Sequence, residues 1–526
     1  MLDIEGCLLF EAEFSVGDIE KRIVCRSEAR LFFEVALGSI ARNHAAGGDV
    51  LTRLAECGET NRVRAGGNGW AWGPTHAPGA ERSGSGGSPR MAKNLLSRRN
   101  FLQVTAIVAA GPALRGAAWT QSNLDGASTI RSSELAADSE YWEKVAAEYF
   151  IDRSITNLEN AYWGAMARPV EAAYLECSRF VNRMNVAYVR DAIASQPYSK
   201  DLAAVRAQIA QQLGCAAEEI APTRSGTEAL QNLIVNYNRL SPGDSILYAD
   251  LDFDAMQFAM DYLADRRSAK VVRFTIPEPA LRENILECYV RVLRTTVRPK
   301  LLLLTHLSHR TGLMMPVAEI ARMARQHGVD VILDAAQSWG QVDFRIADLG
   351  VDFAGFSLHK WMGAPLGTGF LYIKASRLGD IDPHFENRDW PAEDIRARVL
   401  TGTTNFASVL SVPAALDFHT RMGAARKESR LRFLRDYWVN RVQEFKDIEV
   451  LTPNDPTLHA GVTSFRLNGK PATWVQQRLL NKYGILTAAR KGITKGDAVR
   501  VTPALFTRES DLDRLVVALK EMAVMV

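Results

Sequence analysis

From about residue 140 onward, short apolar segments alternate with amphipathic helical patterns. The candidate strands are 245–248, 270–276, 300–306, 329–333, 353–357 and 368–373, and the helical patterns lie at 227–237, 255–263, 282–295 and 317–326. Continuous apolar strands joined by crossover helices predict an α/β fold whose mostly parallel sheet is covered on both faces. After about residue 405 the pattern changes to long helices, a short β segment at 461–467 and a last helix from Ser510. That change predicts a smaller α+β domain at the C-terminus.

The length and composition allow two domains with separate apolar cores, because 47% of the 526 residues are hydrophobic. We predict a large domain over residues 140–405, its N-terminal arm included, and a small one over 406–526. The net charge of +3 comes without a long basic run, so no nucleic-acid partner is expected. No apolar run reaches the roughly 18 residues that span a bilayer. The six cysteines are scattered without a CxxC pair, so neither a disulfide framework nor a metal site is expected.

Residues 1–90 differ in composition from the rest of the chain. Between 58 and 89 the residues Gly, Ser, Arg and Pro predominate. Such a segment buries too little apolar surface to offset its conformational entropy, so we expect disorder. Met91 is followed by SRRNFLQ at 97–103, a weakly apolar stretch at 104–114 and small residues at 116–118. This order resembles a twin-arginine export signal, and an amphipathic helix with two surface arginines is the alternative.

The signal-like segment 91–118 predicts export only if translation starts at Met91, because such signals stand at an N-terminus. We therefore interpret residues 1–90 as an over-extended gene prediction and expect the twin-arginine machinery to carry the protein to the periplasm. If Met1 is the start, we expect the protein to stay in the cytoplasm. N-terminal sequencing of the mature protein distinguishes the two: an end just after Ala118 supports export, and an intact Met1 on active cytoplasmic protein contradicts it.

Three polar segments stand at places where a site can form. DAAQ at 334–337 and SLHKW at 357–361 each follow a predicted strand, and SGTEA at 225–229 begins a predicted helix. Ligands gather outside the carboxyl ends of parallel strands, and the free N–H groups of a helix start favour a phosphate. Each segment alone also has a structural interpretation: a helix cap for Asp334, a solvated residue for Lys360 and simple N-capping for SGTEA.

Together, SGTEA, DAAQ and SLHKW resemble the class V aminotransferase family of the fold-type I pyridoxal-phosphate enzymes. The resemblance runs from about Asn160 to the C-terminus and is closest to the isopenicillin N epimerase-like subgroup. It implies pyridoxal 5'-phosphate as the cofactor, with Lys360 forming the Schiff base and moving the proton of the substrate α-carbon. It also implies that Asp334 pairs with the pyridinium nitrogen and keeps the ring able to accept electrons.

The same resemblance implies how the cofactor is held. Gln337 would donate a hydrogen bond to the phenolic oxygen of the cofactor. Phe253 fits the position of the aromatic residue that stacks on the ring, and packing in the core is an equally open interpretation. The phosphate would be held by Gly226, Thr227, Ser357 and His359.

Three further site residues follow from the resemblance. Thr403, in TGTTN at 401–405, resembles a segment that reaches the phosphate of the neighbouring subunit, which implies a homodimer. Arg500 is expected to clamp the α-carboxylate of the substrate, with a surface salt bridge as the alternative. His309 stands where many relatives have Asn, and with Arg310 it either contacts a second carboxylate or closes a turn.

These expectations define an enzyme that acts on the α-carbon of an amino acid or amine, as an aminotransferase or epimerase. A lyase acting by C–S or β-elimination and a non-catalytic binding member are the alternatives, and Lys360 and Asp334 argue against the latter. Desulfuration through a mobile cysteine is not expected, because the last cysteine, Cys288, lies far upstream of the C-terminal domain. An NAD-dependent enzyme is not expected, because no GxGxxG follows the first strand.

Overall fold

The computed structural model describes residues 132–192, 194–195, 197–400 and 402–524. All of them belong to one compact unit. The predicted disorder of residues 1–90 and the signal-like segment 91–118 lie outside the described residues. In the described part of the chain, no helix is both long enough and apolar enough to cross a bilayer.

The first part of the described chain contains most strands and helices of the large body and the early strand β1. Its elements are α1 (Ser132–Leu135), α2 (Ser139–Ala146), β1 (Thr156–Asn157), α3 (Arg168–Val189), α4 (Tyr198–Leu213), β2 (Ile220–Thr223), α5 (Gly226–Val235), β3 (Ser245–Ala249), α6 (Asp254–Arg267), β4 (Lys270–Phe274), α7 (Arg282–Thr295), β5 (Pro299–Thr305), α8 (Val317–Gln326), β6 (Asp330–Asp334), α9 (Ile346–Leu349), β7 (Phe353–Ser357) and β8 (Gly369–Ile373).

The remaining elements are mainly those of the smaller body. They are α10 (Phe406–Met422), α11 (Ala424–Val442), β9 (Ile448–Val450), β10 (Thr463–Leu467), α12 (Ala472–Tyr483), β11 (Ile485–Leu486), β12 (Ala488–Arg490), β13 (Ala498–Val501) and α13 (Glu509–Val524). Short 3-10 helices lie at Ala217–Glu219, Ala375–Asp380 and Ile395–Arg398.

The large sheet confirms the predicted α/β fold. Its strand order within the described residues is β2-β8-β7-β6-β5-β3-β4. The pairs from β7 through β6, β5 and β3 to β4 are parallel, whereas β8 is antiparallel to both β7 and β2. Strand β2 was not predicted from the sequence, because it has four residues and one of them is Pro222. A proline is tolerated there because β2 is an edge strand.

Both faces of the sheet are covered by helices, as the continuous apolar strands predicted. Strand β5 shows why, since Leu301 and Leu303 point to one face and Leu302 and Leu304 to the other. Helices α5 and α6 pack on the first face. Helices α4, α7 and α8 pack on the second.

The smaller body contains a second sheet of order β12-β13-β10-β9, all of whose pairs are antiparallel. An early segment of the chain joins this body. Strand β1 pairs in parallel with β11, and Asn160 donates its N–H to the Thr502 hydroxyl at 2.7 Å and its side-chain amide to the Thr502 carbonyl at 2.8 Å. The boundary predicted at residue 405 stays a prediction, and the segment around Asn160 pairs with the C-terminal part of the chain.

Close packing of α5 on the sheet depends on glycines in the strands below it. A Cβ on Gly355 of β7 would lie 2.5 Å from Leu230 Cγ and 3.2 Å from the Leu230 nitrogen. A Cβ on Gly369 of β8 would lie 2.5 Å from the carbonyl carbon of Ser225. These distances are shorter than any relaxed contact, so a larger residue at either strand position displaces the start of α5.

We expect Gly355→Ala to lower the free energy of unfolding by about 1–3 kcal/mol, because the added methyl group overpacks the α5–β7 contact. Chemical denaturation of the purified protein measures this change. Gly379→Ala is the matched control, since a Cβ there meets no atom within 4 Å and its backbone is not left-handed. The control should be neutral or slightly stabilised. Equal stability of the two variants would contradict the prediction.

Candidate active site

Lys360 stands in the turn that follows β7. The loop of residues 160–164 passes close to its backbone there. Gly164 donates its N–H to the His359 carbonyl at 2.9 Å, and a Cβ on Gly164 would lie 2.1 Å from the Lys360 carbonyl oxygen. The approach therefore requires glycine at 164. The Lys360 side chain is half-buried, and burial lowers the pKa of its amine to about 8. Such an amine is partly neutral at neutral pH and can act as a nucleophile.

Burial has the largest effect on the pKa of Lys360, and charged neighbours change it further in opposite directions. Asp334 and Glu159 raise the pKa, because a nearby carboxylate stabilises the ammonium form. Arg500 and Arg490 lower it by repulsion between like charges. The structure thus brings Lys360, Asp334 and Arg500, which the sequence predicted for one site, into one electrostatic neighbourhood.

Asp334 is the last residue of β6 and is buried. Its Oδ1 accepts the N–H of Ala336 at 2.9 Å. Burial raises the pKa of this carboxyl group, whereas the Ala336 hydrogen bond and the Lys360 charge lower it. Within the described chain no hydrogen bond reaches Oδ2, so this oxygen is open to a cationic N–H group.

Helix α5 begins at the predicted phosphate position and is capped there by local hydrogen bonds. The Ser225 hydroxyl accepts the N–H of Glu228 at 3.2 Å, and the Glu228 carboxylate accepts the N–H of Arg224 at 2.9 Å. The N–H of Gly226 donates to Ser357 Oγ at 3.2 Å. A Cβ on Gly226 would lie 2.6 Å from that oxygen, so only glycine lets the helix start approach the end of β7.

Two more of the residues predicted to bind the phosphate lie near the start of α5 and the end of β7. Thr227, the second residue of α5, is half-buried, and its hydroxyl makes no hydrogen bond to another described residue. His359 places Nδ1 2.8 Å from the Thr368 carbonyl oxygen, which leaves Nε2 for another partner. Burial lowers the pKa of the His359 imidazole. Unpartnered polar atoms and a helix start of this kind suit a phosphate group.

Gln337 links the loop of residues 160–164 to the turn that carries Lys360. Its Nε2 donates to the Ala161 carbonyl at 2.9 Å, and its Oε1 accepts the indole N–H of Trp361 at 2.9 Å. The amide oxygen is therefore engaged. The predicted hydrogen bond to a phenolic oxygen would use the second hydrogen of Nε2.

Phe253 and His309 lie against each other. Their ring centroids are 5.2 Å apart with the planes at 84°, and Phe253 is a half-buried residue at the edge of the core. Burial, with the charges of Arg500, Arg310 and other cations, holds the pKa of His309 well below its usual range. His309 is thus neutral at physiological pH and supplies no charge for a second carboxylate. Its carbonyl accepts a hydrogen bond from Arg500 Nη1 at 2.8 Å.

Arg500 is buried in the middle of the second sheet and already has a carboxylate partner. Its Nη2 donates to Oε1 of Glu159, and Nη2 of Arg490 reaches the same oxygen at 3.1 Å. Arg500 is therefore not the surface residue that the alternative interpretation described. Glu159 and Arg490 were not predicted from the sequence. Their meeting depends on the joining of residues 156–160 to the C-terminal body, for which neither residue carries a local sequence signal.

Thr403 lies apart from these contacts. It is exposed in the segment before α10, and its hydroxyl makes no hydrogen bond to another described residue. Nearby, the Asn405 side chain caps α10 by accepting the N–H of Ser408 at 3.1 Å. The exposure of Thr403 is consistent with a role outside its own subunit. In the described residues, no group of three or more His, Cys, Asp or Glu side chains is placed to hold a metal ion.

The residues present fit pyridoxal phosphate. Gly226 lets the start of α5 approach the end of β7, Asp334 has an open carboxylate oxygen, and Lys360 has an amine of lowered pKa. Pyridoxal phosphate needs these three features for its phosphate, its ring nitrogen and its covalent attachment. The fold and this site define a pyridoxal-phosphate-dependent enzyme of fold type I.

The chain belongs to the aminotransferase class-V family, whose model matches residues 166–514. It is 27% identical over 402 residues to an isopenicillin N epimerase from Amycolatopsis lactamdurans, which covers 73% of this chain and 98% of that protein. It is 29% identical over 355 residues to a cysteine desulfurase from Yersinia pestis, with 62% and 83% covered.

A solved structure confirms the fold. A lysine-to-alanine mutant of C-DES with glycine covalently linked to its PLP cofactor superimposes with a TM-score of 0.61 at 22% identity, covering 70% of this chain and 96% of that one. At that identity the likeness concerns the fold alone. The family and the site together establish a class V enzyme that uses pyridoxal phosphate.

In the cofactor-free protein, we expect reductive methylation of Lys360 by formaldehyde and borohydride to increase with pH, with a midpoint near 8. The reason is that only the neutral amine attacks an aldehyde, and the pKa of Lys360 is lowered to about 8, whereas an exposed lysine titrates at about 10.4. Mass spectrometry of peptides from samples labelled at several pH values measures the rate at each lysine.

Two variants should move this midpoint in opposite directions. Asp334→Asn removes a charge that raises the Lys360 pKa, so its midpoint should fall; Arg500→Gln removes a charge that lowers the pKa, so its midpoint should rise. A midpoint near that of an exposed lysine, unchanged in both variants, would show that the described electrostatic environment does not act on Lys360.

Proposed function

We propose that the protein acts at the α-carbon of an amino acid or amine, as an aminotransferase or epimerase. The observation that carries the proposal is the position of Lys360 at the end of β7, where burial lowers the pKa of its amine and the charges of Asp334 and Arg500 both act on it. When bound, pyridoxal phosphate supplies an electron sink for the charge left on a deprotonated α-carbon. The remaining steps fall to side chains of this chain.

Each side chain has one task in this proposal. Lys360 holds the cofactor, and its released amine takes and returns the proton of the α-carbon. Asp334 holds the protonated ring nitrogen through its open carboxylate oxygen, and Gln337 donates to the phenolic oxygen. Arg500 orients the carboxylate of the substrate. The phosphate is held at the start of α5 by the residues predicted for it: Gly226, Thr227, Ser357 and His359.

The cysteines argue against a desulfurase that passes sulfur to its own thiol. No cysteine follows Cys288 in the sequence. Burial raises the pKa of Cys177 to about 11 and that of Cys215 to about 12, and it also raises the pKa of Cys288. These thiols are therefore protonated at neutral pH and poor nucleophiles. This supports an activity nearer to that of the epimerase relatives.

We also propose that the enzyme works as a homodimer in which Thr403 reaches the phosphate site of the partner subunit. The support is the exposure of Thr403 and its lack of a hydrogen bond to another described residue. Sedimentation of the active holoenzyme as a monomer would contradict this arrangement. Export to the periplasm likewise remains a proposal that rests on the segment 91–118 and is tested by N-terminal sequencing.

Borohydride reduction of the holoenzyme should fix the cofactor on Lys360, as peptide mapping will show. Lys360→Ala should lose this covalent attachment and almost all turnover. Asp334→Ala should keep the attachment and lose several orders of magnitude in turnover, because the ring nitrogen is no longer held protonated. A label on another lysine, or near-normal activity of Asp334→Ala, would overturn these assignments.

A screen of amino acids distinguishes the candidate reactions by their products. A keto acid with the cofactor left in its amine form indicates transamination, and the opposite enantiomer indicates epimerisation. Release of sulfide or of another β-substituent indicates elimination, which would replace the proposed activity. Exchange of the α-hydrogen with deuterated water should accompany every positive result and disappear in Lys360→Ala.

A further inference from the structure

We propose that Glu159 restricts the enzyme to substrates that present a single carboxylate at the arginine end of the site. This inference rests on the proposed function, in which Arg500 binds the α-carboxylate. The substrate class that follows is an amino acid whose side chain is uncharged where it faces Glu159.

The arginine end of the site is formed by Glu159, Arg490 and Arg500. Both guanidinium groups donate to Oε1 of Glu159. The side chains of Arg500 and Glu159 are 2% and 13% exposed, and that of Arg490 is 26% exposed. Two arginines thus share one oxygen of one carboxylate in a largely desolvated place.

The hydrogen bonding of this trio is incomplete. Nε of Arg490, Nε of Arg500 and Oε2 of Glu159 are all buried without a hydrogen-bond partner. A buried donor without an acceptor destabilises the protein, so a ligand that accepts from these donors is stabilised where it binds. A carboxylate has two acceptor oxygens, which is enough for the two Nε–H groups.

The surrounding charges allow one such carboxylate and no second. Arg310 is buried and paired with Asp254, and the charge of Asp334 acts on Lys360. Glu159 neutralises one of its two arginines. Four of the described cations (Lys360, Arg310, Arg490 and Arg500) thus stand against three carboxylates (Asp334, Glu159 and Asp254), which leaves one positive charge uncompensated. A substrate with one carboxylate balances that charge, whereas a second carboxylate would meet Glu159 without a cation to pair with.

Glu159 cannot withdraw from the site by a movement of its backbone. The next residue, Asn160, holds the segment beside the end of β13 through two hydrogen bonds to Thr502, of 2.7 and 2.8 Å. Strand β1 fixes the same segment from the other side by pairing with β11. Because Arg490 and Arg500 also donate to its side chain, the carboxylate stays beside them when a substrate enters, and its charge selects among substrates.

The test compares pentanoate and glutarate, which have chains of equal length and carry one and two carboxylates. Neither acid has an amine, so neither can join the cofactor, and calorimetric titration of the holoenzyme measures binding alone. Wild-type enzyme should bind pentanoate more tightly than glutarate. Glu159→Gln should shift the ratio of the two dissociation constants toward glutarate by at least about tenfold, which corresponds to about 1.4 kcal/mol.

Two variants control the measurement. Glu143→Gln makes the same change in net charge at an exposed ion pair, in which Glu143 Oε1 lies 2.8 Å from Arg508 Nε. This variant should leave the ratio of the two dissociation constants unchanged. Arg500→Gln should weaken the binding of both acids. Retention of the cofactor absorbance and of the unfolding midpoint shows that each variant is folded.

An unchanged ratio in Glu159→Gln, a wild-type preference for glutarate, or no binding of either acid would each overturn the inference. These failures are distinct from failure of the proposed function. If the ratio shifts as expected but no amino acid shows α-hydrogen exchange, only the proposed reaction is wrong. If exchange occurs at Lys360 and the ratio does not shift, only the role of Glu159 is wrong.

Discussion

The close contact between the start of α5 and the ends of β7 and β8 is the constraint on which the site depends. Gly226, Gly355 and Gly369 leave no room for a Cβ, and the result is a helix start seated directly above the strand ends. The Gly226–Ser357 hydrogen bond then joins the phosphate position to the strand that leads into Lys360. Small residues at three separated positions therefore set the distance between the anchor of the phosphate and the amine that binds the cofactor.

Burial then gives the site its chemistry. Removing Lys360 from water favours its neutral form, and removing Asp334 from water favours its protonated form. The charged form of each group is therefore stabilised only by the other group or by a ligand of opposite charge. The same effect holds His309 neutral and leaves Arg500 dependent on Glu159. One physical cause, desolvation at the strand ends, thus acts in opposite directions on acids and bases.

Sequence patterns were sufficient for the parts of the structure that depend on local order. The apolar runs predicted the parallel strands, and helices 282–295 and 317–326 have the predicted bounds. DAAQ and SLHKW were placed correctly at strand ends because a parallel sheet brings its carboxyl ends to one edge. Strand β2 was not predicted, because Pro222 is atypical of a strand. Glu159 and Arg490 were not predicted, because a polar residue near the start of a domain and an arginine on a three-residue strand carry no local sequence signal. Their role arises from tertiary pairing.

The pairing of β1 with β11 has a consequence for how the molecule is made. Thr156 and Ile485 are partners in one ladder, although most of the described chain lies between them. During synthesis the early segment has no partner until the ribosome has made the residues of β11. Contacts of such large sequence separation are slow to form, because a long loop must close first. The arginine end of the site therefore forms only after Arg490 and Arg500 have been made, and a product that stops before them contains Lys360 and Asp334 without the arginines that would orient a substrate.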